Sequence, residues 1–240
     1  MIGIICAMDL ELEKILAMME DEQGDMISGI VYHRGKIGGK DAVCAVCGVG
    51  KVYAAMCTQT MILKYTPECI INVGVAGALD KSLKITDIVV ADDLVQHDMD
   101  VTALGIPRGM ILGTNYIAFP TENNVSDRLY LSIEALNKER AEKNEKTIGT
   151  HRGRIASGDQ FIATKEQKDD ITAAFGAIAC EMEGAAIAQV CYVNRIPYAV
   201  MRAISDTADE SSEMDFPEFA SQAAGYTAEV IRHFLGNASK

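Results

Sequence analysis

Residues Ile178 to Asp206 read IACEMEGAAIAQVCYVNRIPYAVMRAISD, and this stretch decides the fold class. A short apolar run ends in Glu181-Met182-Glu183, an Ala-rich helical pattern follows, and Pro197 restarts an extended segment that delivers Arg202, Ser205 and Asp206. Strand, helix, strand is the repeating unit of an open α/β sheet, in which ligands bind beyond the carboxyl ends of the strands. Acids at the ends of two apolar strands therefore carry two readings. Glu181 and Glu183 either cap the next helix, whose positive dipole end favours carboxylates, or do chemistry in the crevice.

Outward from this stretch the same alternation continues. Ile2 to Ala7 predicts a buried strand, with Asp9 as N-cap of a helix and Glu11 and Glu13 as first-turn acids. Residues 29–37 and 41–47 read as two strands joined at Gly38-Gly39, and a helical pattern runs from the glycine pair Gly48/Gly50 to about Tyr65. Cys69 to Val73 predicts a strand ending in the small-residue turn Gly74-Val75-Ala76-Gly77, which lets backbone and ligand approach closely. Ile85 to Val95 and His151 to Ser157 read as further strands. Helices are expected with Ser126 as cap and Leu129, Ile133 and Leu136 on one face, from Thr164 to Ala174, and from Asp215-Phe216-Pro217 along the stripe Phe219, Ala223, Val230 and Phe234. The expectation is a three-layer helix–sheet–helix sandwich with a mixed, mostly parallel central sheet. With neither internal repeat nor linker, residues 1–240 read as one domain.

Composition narrows the function. At 240 residues and 49% hydrophobic, the chain can bury a substantial core. Its formal charge of −12 disfavours a phosphate-backbone partner, so nucleic acid is not expected. No apolar run approaches the length of a membrane span, and the acidic N-terminal stretch is unlike a secretory signal. Seven cysteines scattered through apolar segments suit a reducing compartment, which points to the cytoplasm. Cys44 and Cys47 form a C-x-x-C within a strand, where residues three apart face opposite ways and cannot chelate one ion. The cluster His97-Asp98-Met99-Asp100 lacks histidine partners and reads as a turn or hydrogen-bonding segment, so no metal and no cofactor are expected.

Two nucleotide motifs also fail. In Gly48-Val49-Gly50-Lys51, Ala45 stands where a P-loop needs its first glycine and Val52 where it needs Ser or Thr. Tyr53 occupies the place of the third dinucleotide-binding glycine. Residues 104–122 combine Gly105, Pro107, Gly109, Gly113 and Pro120 with many apolar side chains, a composition that predicts a lid or a subunit contact.

Taken in order, GIICAMDLE, GVGKV, INVGVAG, HDMDVTA, SGDQFI, EMEGAAIA and RAISDTAD resemble the 5′-methylthioadenosine/S-adenosylhomocysteine nucleosidases of the nucleoside phosphorylase superfamily, from Ile2 to about Phe234. The resemblance implies hydrolysis of the bond between adenine and a 5′-thio-substituted ribose by a homodimer. It also assigns roles. Asp206 matches the general acid to the adenine ring, Glu11 the carboxylate that positions the attacking water, and Glu183 the residue that binds the ribose hydroxyls above Met182. Phe161 and the backbone of Ile162 match the adenine-holding segment, while Met8, Val49 and Phe216 match apolar walls. Arg202 matches an arginine near the water, and equally suits a partner of a buried acid. Val75 departs from the Ser common in this family, and Asn72 with Val75 replace the Arg and Ser that phosphate-using relatives place there, so a hydrolase is expected ahead of a phosphorylase. A futalosine-type nucleosidase would share the same acids.

Overall fold

The computed structural model describes the backbone of residues 1–206 and 216–236, with side chains throughout those spans except at 123 and 216–220. Its centre is β1 (Ile2–Cys6), which pairs in parallel with β4 (Lys40–Val46) on one side and β5 (Cys69–Ala78) on the other. Apolar residues on both faces are what a strand covered by helices above and below requires. Ile5 faces one core while Ile4 and Cys6 face the other. The C-x-x-C behaves accordingly, with Cys44 and Cys47 in opposite cores.

Five helices supply the two outer layers. α1 (Asp9–Leu16), α3 (Asn123–Glu142) and α6 (Phe216–Gly236) cover the Ile4 face, and α2 (Lys51–Tyr65) with α5 (Gly184–Asn194) covers the Ile5 face. In α5 the buried positions include Gly184, Ala185, Ala186 and Ala188, short residues that let α2 and the sheet approach closely. Ile187 supplies the volume among them. It is fully buried, so truncation to Ala is expected to cost about 2–5 kcal/mol.

The sheet is mixed and partly wraps on itself. β5 pairs with β10 (Tyr198–Asp206), β10 with β6 (Ile88–Gln96), β6 with the short β7 (Ala118–Pro120) and with β8 (Thr150–Ser157), β8 with β9 (Ala179–Glu181), and β9 returns to β5. Register shifts in β10 and β6 give the bends that such closure needs. The consequence is functional: the ends of β5, β9 and β10 converge on one spot. α4 (Lys165–Phe175), capped by the Thr164 hydroxyl, packs Ile171 and Phe175 over β8 and β9 beside it.

Several sequence expectations need correction. β2 (Met19–Ile27) was not anticipated; it pairs with β3 (Ile30–Ile37) at the sheet edge, and its residues are mostly exposed, so no apolar alternation marks it. β5 does not stop at Val73 but runs through Gly74 to Ala78, because β10 extends its ladder along the glycines. Strand β6 begins at Ile88 rather than Ile85. α3 starts after Glu122, which places Ser126 inside the helix, buried and bonded to the Thr121 hydroxyl at 2.8 Å. At α1 the N-cap is Met8, not Asp9, since Glu11 folds back to accept the N–H groups of Ala7 and Met8. The helix-opening Asp215 lies outside the described residues.

Candidate active site

A cavity of about 250 Å³ opens where β5, β9 and β10 end, lined by four acids from three distant parts of the chain: Glu11, Glu181, Glu183 and Asp206. Met8, Val49, Val75, Phe161, Ile162 and Met182 supply apolar wall, and Phe161 remains largely exposed at the rim. Among the described lining residues none is Lys, Arg or His. Phe216 opens α6, but its side chain is outside the described set.

Glu11 is buried and its carboxylate is fixed by backbone donors. Oε2 accepts from Ala7 at 2.9 Å and Met8 at 3.0 Å, and Oε1 accepts from Val75 at 3.1 Å. Burial pushes its pKa up, and the Arg202 charge with these three donors pulls the other way. The bond from residue 75 comes from the main chain, so Val in place of Ser leaves it intact.

Glu181 and Glu183 divide the two readings made of them. The Glu181 carboxylate accepts from the N–H groups of Glu183 at 3.1 Å and Gly184 at 2.8 Å, which is helix capping. It also accepts from the Ser157 hydroxyl and from both Nε and Nη2 of Arg202, the Nε contact being 3.2 Å. Glu183 accepts from the Gly50 N–H at 2.9 Å and stands 4.0 Å from Arg202. Burial first, then the charge of Glu181, pushes its pKa up to about 7.

Arg202 does not line the cavity. Fully buried, it holds Glu181 and the Asn72 side-chain oxygen, which is the acid-partner reading of that residue. Asp206 closes the far wall. Its Oδ1 accepts from the Ser205 hydroxyl at 3.2 Å and its Oδ2 lies 3.4 Å from Lys168 Nζ. Sequence reasoning missed Lys168, though a signal existed: Lys168, Ile171 and Phe175 share the buried face of α4 at helical spacing.

Comparison with known proteins gives the family. Residues 1–236 match the family model described as the phosphorylase superfamily, and the chain is 39% identical over 231 residues to the 5′-methylthioadenosine/S-adenosylhomocysteine nucleosidase of Haemophilus influenzae (strain PittGG), covering 96% of each. The chain belongs to the phosphorylase superfamily, among its 5′-methylthioadenosine/S-adenosylhomocysteine nucleosidases. The aminodeoxyfutalosine nucleosidase of Helicobacter pylori (strain J99 / ATCC 700824) is also 39% identical, over 235 residues covering 98% of this chain and 97% of that one. Among solved structures, that of the Neisseria meningitidis nucleosidase in complex with methylthio-immucillin-A superposes with a TM-score of 0.90 at 32% identity, covering 98% of both chains. The nucleosidase fold is thus shared over the full set of elements that carry the cavity. No helix among the described residues is long and apolar enough to cross a membrane, and no group of three or more His, Cys, Asp or Glu among them could hold a metal ion.

Proposed function

We propose that this protein, acting as one domain over residues 1–240, hydrolyses the N-glycosidic bond of 5′-methylthioadenosine and S-adenosylhomocysteine, releasing adenine and the 5-thio-substituted ribose. One observation carries the reading: four carboxylates, of which Glu181 is held by Arg202, line a largely apolar cavity whose described lining has no cationic side chain. Adenine is a poor anionic leaving group, so cleavage needs a proton donor to the base, and Asp206 at the end of β10 takes that role; general acid help of this kind is worth ~10²–10⁴-fold. The ribose gains positive charge as the bond stretches. Glu183, close by and desolvated, stabilises that charge once ionised and accepts from the ribose hydroxyls. Glu11, its pKa raised by burial, orients and deprotonates the water that traps the sugar. Arg202 acts through Glu181, holding the N-terminus of α5 and hence Glu183.

Water rather than phosphate is the nucleophile on this reading. A phosphate would meet Glu11 and Glu183 without a lining cation to offset them, and at ~4 Å with an effective dielectric of about 20 each such repulsion is on the order of several kcal/mol. The experiment is incubation with 5′-methylthioadenosine in phosphate-free and in phosphate buffer, with identification of the sugar. Equal rates and a free 5-thio-ribose are expected; ribose 1-phosphate formed only with phosphate would overturn the hydrolase. Aminodeoxyfutalosine is the second substrate to include, because a relative so named is as similar as those named for the thio-nucleosides.

The proposed assembly is a homodimer working in a reducing, cytoplasmic setting. All seven cysteines are free and buried. Residues 104–122 contribute nothing to the cavity lining, yet Leu104, Leu112 and Tyr116 stand exposed, with Tyr116 meeting Tyr192 edge to face at 5.2 Å between ring centres. That favours a subunit contact over a lid.

A further inference from the structure

The rejected P-loop motif and the rejected HDMD metal cluster meet in a closed circuit of hydrogen bonds. Lys51, the first residue of α2, sends Nζ to Asp98 Oδ1 at 2.6 Å and to Gln96 Oε1 at 3.1 Å. The other oxygen of Asp98 accepts from the Asp159 N–H at 2.9 Å. Asp159 Oδ1 completes the circuit by accepting from the Lys51 N–H at 2.7 Å. The Lys51 and Asp98 side chains are only 18% and 16% exposed, so this ion pair is well shielded from solvent.

What the circuit joins gives it meaning. Gly50, next to Lys51, donates its N–H to Glu183. Gln160, Phe161 and Ile162, next to Asp159, form the cavity wall that would face the base, in a segment between β8 and α4 that has neither ladder nor helix of its own. Gly50 has φ +102, and a Cβ there would come within 3.1 Å of Asp159 Oδ1, so the two segments are fitted closely. None of the three side chains lines the cavity.

We infer that Lys51, Asp98 and Asp159 are positioning residues that hold the base-facing segment 158–162 in register with Glu183, so that base and sugar of one nucleoside are presented in the orientation cleavage requires. This rests on the nucleosidase reading. Loss of register of about 1 Å is enough to cost on the order of 10²-fold in rate without removing any catalytic group. A merely structural circuit would instead lower melting temperature and leave turnover per folded molecule alone.

The test uses the full chain with Lys51→Met, Asp98→Ala, their double variant, and Asp159→Ala against Asp159→Asn. Asp159 is exposed, so its variants keep the fold, and the amide retains an acceptor for the Lys51 N–H. Expected are a fall in kcat of about tenfold or more for Lys51→Met, Asp98→Ala and Asp159→Ala, and a double variant no worse than its worse single. Asp159→Asn should restore most of the turnover. Hydrogen exchange in the ligand-free protein should quicken across 158–163 in Asp98→Ala. Unchanged kcat, multiplying single effects or unaltered exchange would each overturn the inference. Wild-type protein that releases no base from any nucleoside would overturn the nucleosidase reading instead, and the exchange arm still decides whether the circuit tethers the segment.

Discussion

Glu11 occupies the space that a side chain on Gly74 would need: a Cβ there would stand 2.8 Å from Glu11 Oε1 and 3.3 Å from Arg202 Nη1. Gly74 lies within β5 and is not among the positive-φ glycines, so room, not backbone freedom, is what glycine provides here. The same holds three residues further along β5, where a Cβ on Gly77 would lie 3.0 and 3.1 Å from the two oxygens of Asp206. The strand supplies space for both acids.

Gly74→Ala should therefore displace a carboxylate held by three backbone donors and lower turnover by about 10²-fold or more, with destabilisation of about 1–3 kcal/mol. Steady-state kinetics and a denaturant titration check both. Wild-type turnover in Gly74→Ala would show that the site tolerates movement of Glu11.

Asp206→Asn keeps the shape and an acceptor for Ser205 but cannot give a proton to the base. Turnover should fall ~10²–10⁴-fold while the protein stays folded. Single-turnover adenine release is the measurement, and near-native release would remove Asp206 from the acid role.

The raised pKa of Glu183 makes two linked statements about pH. Catalysis that needs the ionised form should lose kcat/KM as pH falls below about 7, with the apparent value belonging to the coupled acid cluster. For stability, a folded value of about 7 against an ordinary 4.5 means that the native state binds the proton more tightly than the unfolded chain. The contribution is full below pH 4.5 and disappears as pH rises through 7. Glu183→Gln should thus gain stability relative to wild type at pH 8 and less so at pH 5, while losing activity. Melting curves at the two pH values test the sign; a variant no more stable at pH 8 contradicts it.

Light scattering at micromolar concentration should give twice the chain mass of 25.9 kDa. Tyr116→Asp, which puts a charge on the exposed side of the aromatic cluster formed with Tyr192 and the buried Phe119, should shift the protein toward monomer. A fully active wild-type monomer would remove the dimer.

Local pattern determined much of this protein. Alternating apolar runs and helical periodicity placed β1, β4, β8, β10 and the helices, and the acids at the ends of β9 and β10 were legible because strand ends are readable from sequence. Those relationships span a few residues, so propensity and period encode them. The exposed edge strand β2 left no such period, since its residues face water on both sides. Which acid is taken up by capping and by Arg202, and which stays free to meet a substrate, was likewise undetermined by the string EME, because the answer depends on where Arg202 and Ser157 arrive from other strands. Lys168 beside Asp206, and Lys51 bridging to Asp98 and Asp159, join residues that only chain packing brings within hydrogen-bond reach. The sequence determined the chemical groups and their local frames; closure of β5, β10, β6, β8 and β9 decided which of them share one desolvated space, and burial there pushes the pKa of Glu183 up.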